Sequence, residues 1–562
     1  MHDAFSRRSF LKAGALTAAG LWAAPQLPAQ AAPGPQPLRG TLRPTRWGQV
    51  QGGQTAHGAL VWYGVPYAAA PAGLLRWQPP QDPASWTGPL DCTAPAPLAL
   101  QPCNGMPVGV EDCLRLDIYA PDGAAQLPVV VYFHGGGNRT GSTREMSGAK
   151  LAARAGCVFV SVGYRLGLLG FNCLPALQNG PDSTGNYALL DAAKAFDWVR
   201  DNIAAFGGDP GNVTAMGFSA GGRDVLAMLA SPCFAGRFHK AVSLSGGLSA
   251  ADPQASARQI ARAFAPLAVE DGLCPDPETA FGWLLEDREE VRRWLYDLDP
   301  ARICMQMPDG GDLRMSSFPH LYADGVTLPR DGFARGACNA VPLLLATAST
   351  EFSLFNPFPD FYQAQGLTAG EAAAARQWAV GYGSELYQLY NGPAAARTLT
   401  DGGYAAPIWL CRIAYGAPDS RSPIHALGLG SYHGICLPML SDENDLAGLA
   451  GLSSAGFAAM SDAFLQAVGA FLRTGTPRAD ALPAWQPWTA DRPEALVLDA
   501  DDRTLDACIR PAPAGCDGIL NAMEADGALT PHAKEVTIRT VLNGRLFSAA
   551  LDARWHNPSL WT

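Results

Sequence analysis

Runs of aliphatic and β-branched residues recur along this chain, each closed by a glycine-rich or polar stretch. Val129 to Phe133 reads VVVYF, and an apolar run of that length suits a strand buried on both faces of a parallel sheet. Val213 to Met216 has the look of a buried strand end, Cys157 to Phe171 reads as a strand and turn, and Val341 to Phe355 as a strand that ends in a polar loop. Between them, Ala188 to Ile203, Asp224 to Ala230, Ser256 to Ala265 and Thr279 to Leu298 read as helices. Near the end, Val536 to Leu542 and Arg545 to Leu551 alternate about Asn543-Gly544. That pattern predicts a hairpin with a two-residue turn in a C-terminal extension over 511–562.

Composition narrows the class. With 562 residues, 48% of them hydrophobic, the chain can bury a large core in several domains or one big α/β unit. The net charge of -11, with no long basic tract, argues against a nucleic acid partner. Ser6-Arg7-Arg8-Ser9-Phe10-Leu11-Lys12, the apolar run Ala13 to Ala24 and the small residues of Ala29-Gln30-Ala31 predict a signal peptide over 1–31 for the twin-arginine export machinery. The mature chain would then begin near Ala32 and be periplasmic or secreted. No later segment reads as long and apolar enough to span a bilayer, so no membrane span is expected in the mature protein.

An oxidising destination permits disulfides. Thirteen cysteines leave at least one without a partner in the chain, and the clusters Cys92, Cys103, Cys113 and Cys508, Cys516 are the candidates. No His/Cys group has metal-ligand spacing, so neither a metal nor an organic cofactor is expected.

The chemistry centres on Gly217-Phe218-Ser219-Ala220-Gly221, a G-x-S-x-G pentapeptide between an apolar strand and a helix. A serine on so tight a turn is a nucleophile elbow, and the flanking glycines remove collisions between strand and helix. The helix start directs free N–H groups at charge that develops beside the hydroxyl. Upstream, His134-Gly135-Gly136-Gly137 closes the VVVYF strand, a backbone that can approach a substrate closely.

Several stretches occur in the order typical of one family: WYGVPYAAAPAGLLRWQPP (62–80), EDCLRLDIYAP (111–121), LPVVVYFHGGG (127–137) and LLDAAKAFDWVRDNIAAFGGDPGNVT (189–214), which runs into the elbow. From about Thr41 to about Asp506 the chain resembles the type B carboxylesterase and lipase family. The resemblance implies an α/β-hydrolase fold, a mostly parallel sheet with helices on both faces and excursions over the active site, in a catalytic domain spanning 32–510. It also implies an ester hydrolase with Ser219 as nucleophile, Glu351 as acid and His433, in SYHGICLPML, as base. Asp360 and His425 are the nearest rivals. The N–H groups of Gly136, Gly137 and Ala220 would form the oxyanion hole.

Departures from the family pattern bear on substrate. Phe218 stands where the family carries glutamate, Asn138 where an aromatic is common, and Cys436 where an acid follows the histidine; Phe218 and Asn138 become candidates for the pocket wall. Arg223 and Asp224 suggest a structural ion pair, or a contact with an acidic substrate. The resemblance pairs Cys113 with Cys103 or Cys92. The expected partner is a small-molecule ester. A lipase or polymer-ester hydrolase, or a non-catalytic binding member of the fold, are the alternatives.

Overall fold

In the computed structural model, which describes residues 38–307, 312–333, 339–422, 430–444, 452–513 and 515–557, the apolar runs lie side by side in one sheet. Its eleven strands among the described residues are, in chain order, β1 (Gly53–Gln54), β2 (Leu60–Pro66), β3 (Arg115–Ala120), β4 (Leu127–Phe133), β5 (Val158–Val162), β6 (Gly208–Phe218), β7 (Lys240–Leu244), β8 (Leu343–Ala348), β9 (Ile408–Ile413), β10 (Glu494–Ala500) and β11 (Leu505–Pro511). Across the sheet they run β11-β10-β9-β8-β7-β6-β4-β5-β3-β2-β1. From β10 to β5 every neighbouring pair is parallel, and antiparallel strands flank that block on both sides.

Successive side chains of a strand point to opposite faces. Val129, Val131 and Phe133 of β4 therefore enter one core layer, and Val130 and Tyr132 enter the other. Both layers are apolar, which is why β4 has no polar alternation to read. The first layer is closed by helices α1 (Tyr187–Asn202) and α2 (Ala220–Ala230). A third apolar cluster gathers on α3 (Ala369–Asn391). The second layer is closed by α4 (Ala455–Thr474), whose most apolar window has a mean hydropathy of 1.4. By length and composition α4 could cross a bilayer, contrary to the reading that no such segment follows the signal; 67% of that window is buried in the fold.

Two further expectations are corrected. The C-terminal hairpin is absent, and the segment is helical over Pro531–Thr537, Ile538–Leu542 and Ala549–Trp555. Its buried positions also fit helical spacing: Ala533, Thr537, Ile538, Val541 and Leu542. Thr530 caps the helix start by accepting the Ala533 N–H, with proline at the first position, a strong start signal that outweighs an isolated Asn-Gly pair. No disulfide forms among the described residues. Cys113 is a free thiol, so neither pairing with Cys103 nor with Cys92 is made, and Cys508 and Cys516 are free as well. Cys92 and Cys113 are buried in the main core, and burial pushes the Cys92 thiol up to about 12, the behaviour of an inert core thiol. The signal segment and His425 lie outside the described residues.

Candidate active site

β6, in the middle of the sheet, delivers Ser219 at its C-terminal end, and α2 begins at the next residue. Ser219 has φ 54° and ψ -114°, a sparsely populated conformation that costs on the order of 1–3 kcal/mol and is held by its surroundings. Its N–H donates to the Leu244 carbonyl at 2.8 Å, and its own carbonyl accepts the Arg223 N–H at 3.0 Å. The turn admits only glycine at its flanks. A Cβ on Gly217 would stand 2.2 Å from the Gly221 carbonyl oxygen, and one on Gly221 would stand 2.1 Å from that of Phe133.

The sequence-predicted acid and base meet. Nδ1 of His433 lies 2.5 Å from Oε2 of Glu351, and both side chains are fully buried. The carboxylate can only accept, so Nδ1 carries the proton of that bond. Oε1 of Glu351 accepts from the Ser245 hydroxyl at 2.6 Å, the Thr347 hydroxyl at 2.8 Å and the Ala348 N–H at 2.7 Å. Burial alone would raise the carboxyl's pKa; the imidazole beside it and these donors outweigh burial and hold it below the usual range. The rival Asp360 is exposed on the short helix Pro359–Ala364.

Aromatic rings fix the imidazole from several directions. Phe218 lies 4.9 Å away between centroids, Phe355 4.9 Å and Tyr387, stacked, 5.7 Å. Contact with Phe218 sets His433 beside the residue that precedes Ser219. The C-terminal segment buttresses this arrangement from behind. Phe547 packs on Phe352 and Tyr387 at 5.6 and 5.1 Å, and the Arg545 guanidinium sits 5.1 Å over the Phe352 ring.

The glycine loop after β4 comes to the same place. Gly136 and Gly137 have φ of 96° and 66°, where a side chain would be strained, and a Cβ on Gly135 would be 3.2 Å from that of Ser219. Ala220 is the first residue of α2, so its N–H belongs to the unsatisfied helix start. Sequence reasoning missed two residues that steady these parts. Both oxygens of buried Glu145 lie within 3.0 Å of the Gly135 N–H, and one accepts the Tyr132 hydroxyl at 2.6 Å. Ser245 (φ 54°) ends β7 and aims its hydroxyl at Glu351. A serine closing the strand beside the elbow is a weak local signal for it; Glu145 has none. Among the described residues no group of three or more His, Cys, Asp and Glu could hold a metal ion.

The comparisons with known proteins agree with this geometry. Residues 40–380 match the model of the carboxylesterase family. The chain belongs to that family. This carboxylesterase is 31% identical over 488 residues to the para-nitrobenzyl esterase of Bacillus subtilis (strain 168), covering 81% of this chain and 94% of that one. It is 34% identical over 352 residues to a liver carboxylesterase of Sus scrofa, covering 58% and 60%. Among solved structures, a PNB esterase superposes with a TM-score of 0.63 at 28% identity, covering 84% of this chain and 98% of its own. The carboxylesterase is thus a carboxylic ester hydrolase with the α/β-hydrolase fold.

Within it, the two candidates for the pocket wall are absorbed by packing. Asn138 is fully buried (φ 60°); its amide donates to Asp224 Oδ1 at 2.7 Å and its oxygen accepts from the Tyr164 hydroxyl at 3.3 Å. It clamps the glycine loop to α2. Phe218 is 1% exposed and braces His433. The expected ion pair between Arg223 and Asp224 does not form: among the described residues Arg223 has no salt bridge, and the Asp224 carboxyl is bonded to Asn138. Burial raises the Asp224 carboxyl to about 7, against the Asn138 hydrogen bond and the Arg223 charge.

Proposed function

We propose that this carboxylesterase acts through an acyl-enzyme on Ser219. The observation that carries the reading is the buried Glu351–His433 pair, seated against the residue next to a serine in elbow geometry. In the first half-reaction His433 takes the Ser219 proton as the hydroxyl oxygen bonds to the ester carbonyl carbon. Glu351 holds the ring orientation and stabilises the imidazolium. The N–H groups of Gly136, Gly137 and Ala220 receive the oxyanion, a contribution of about 3 kcal/mol per donor in enzymes of this kind. His433 then gives its proton to the departing alcohol as the carbon–oxygen bond breaks. Water repeats the sequence on the acyl-enzyme, releasing the acid and restoring the serine.

We further propose export by the twin-arginine route, on the strength of Arg7-Arg8, the apolar run and the Ala29-Gln30-Ala31 site. The core thiols do not depend on it, because no disulfide among the described residues requires an oxidising compartment.

The test is hydrolysis of p-nitrophenyl esters of increasing acyl length by the chain from Ala32 onward, beside Ser219→Ala. The variant is expected to lose about 10⁴-fold or more in kcat. A rate maximum at short acyl chains supports the esterase reading, and a maximum at long chains with activation at lipid interfaces points to a lipase. Equal rates for the two folded proteins would contradict the mechanism.

A further inference from the structure

The helix behind the nucleophile carries a charge that the mechanism does not use. Arg223 stands one turn into α2 and is 2% exposed. Among the described residues its side chain makes no hydrogen bond and no ion pair, and its Nε is buried without a partner. Asp224, the nearest counter-ion in sequence, is engaged by Asn138. A guanidinium so far removed from water without an acceptor is costly to hold. An acceptor brought by a ligand would remove that cost.

Asp224 is the acid whose carboxyl feels the Arg223 charge, but it is bonded to Asn138 and forms no ion pair with Arg223. The Arg223 charge also acts on His320 and Tyr387. Burial first, and then the Arg223 charge, lower the His320 imidazole to about 3, so that ring is neutral. His320 Nε2 and the Tyr387 hydroxyl are themselves buried without partners among the described residues. Tyr387 is also the ring stacked on His433, so this unsatisfied polar cluster adjoins the catalytic imidazole. Four residues separate Arg223 from Ser219, about 6 Å along a helix. A guanidinium fork beside a phenol is suited to a planar carboxylate, which it can hold through two parallel bonds.

We propose that the natural substrate of this carboxylesterase is an ester bearing a free carboxylate a few bonds from the scissile carbonyl, with Arg223 as the residue that selects it. The proposal rests on the esterase reading above and deepens it. Phe218 and Cys436 put no carboxylate at those two positions beside the histidine loop to repel an anion.

The experiment compares matched pairs of esters with the intact enzyme: monoethyl adipate against ethyl hexanoate for an acyl-side anion, and 4-acetoxybenzoate against 4-acetoxybenzamide for one on the alcohol side. The expected result is at least a tenfold higher kcat/KM for the charged member of one pair. Arg223→Gln should reduce that ratio about tenfold or more, while Arg223→Lys keeps part of it. A wild-type enzyme that favours the neutral member of both pairs, or a ratio unmoved in Arg223→Gln, overturns the proposal. Should the glutamine variant not fold, adipate is expected to inhibit wild-type hydrolysis of ethyl hexanoate competitively where hexanamide does not; equal inhibition by both, or none, also overturns it. Hydrolysis of the neutral esters with no charge preference removes this inference alone. Loss of all hydrolysis together with no fluorophosphonate labelling of Ser219 removes the esterase mechanism beneath it.

Discussion

Glu351 is fully buried, with His433 on one oxygen and three protein donors on the other. Arg223, on the helix that begins after Ser219, is 2% exposed and has neither a side-chain hydrogen bond nor an ion pair among the described residues. Both are charged groups close to one serine. The protein therefore completes the site internally where it holds its own base, and leaves it incomplete next to the nucleophile helix. A buried charge that is fully bonded is held in place, whereas one without a partner is costly, and the proposed substrate carboxylate would remove that cost.

The comparison breaks most visibly on the satisfied side. Glu351→Gln, which keeps the shape but loses the charge, should lower kcat about 10³–10⁴-fold in steady-state assays, because the imidazolium loses its partner. Ser245→Ala removes one of the donors that hold the carboxylate; about a tenfold drop in kcat with little change in KM is expected, since a hydrogen bond to a charged group contributes about 1.5–3 kcal/mol. The opposite side should respond with the opposite sign. Arg223→Met deletes an unpaired buried charge, and calorimetry should show the unfolding midpoint rising by about 1–3 °C, whereas Ser245→Ala lowers it.

A further contrast is in pH dependence, where the two acids titrate in opposite senses. The folded pKa of Glu351 lies below its ordinary 4.5. Its stabilisation is present above that ordinary value and is lost as pH falls through the lowered one. Asp224 rises from 3.8 to about 7, so between those values the folded protein keeps a proton that the unfolded chain has released. Stability drains away with rising pH across that window. Asp224→Asn should flatten that slope in denaturant titrations between pH 4 and 7, and an unchanged slope would show that Asp224 is ionised in the fold.

Sequence made the local parts of the site legible. The elbow and the glycine loop each lie within a few residues, and Gly217, Gly221 and Gly136 are forced by contacts near 2 Å with neighbouring backbone. Glu351 and His433, 82 residues apart, were reached through the resemblance, since nothing in their own surroundings says that they touch. Ser245 and Glu145 act through long-range hydrogen bonds that leave no periodic trace. That Asn138 is bonded to Asp224 on α2 and Phe218 packs on the His433 ring is decided by contacts distant in sequence, which the string does not show. The hairpin expectation failed because VTIRTVL fits both periods, and only the capped, proline-led start at Thr530 decides between them.

The most direct test of Ser219 as an activated nucleophile is labelling with a fluorophosphonate, located by peptide mass spectrometry and followed alongside residual esterase activity. One adduct per chain on Ser219, formed in step with the loss of activity and absent in Glu351→Gln over the same interval, is the predicted result. A folded, active enzyme that takes no label, or takes it elsewhere while losing activity, would contradict the account.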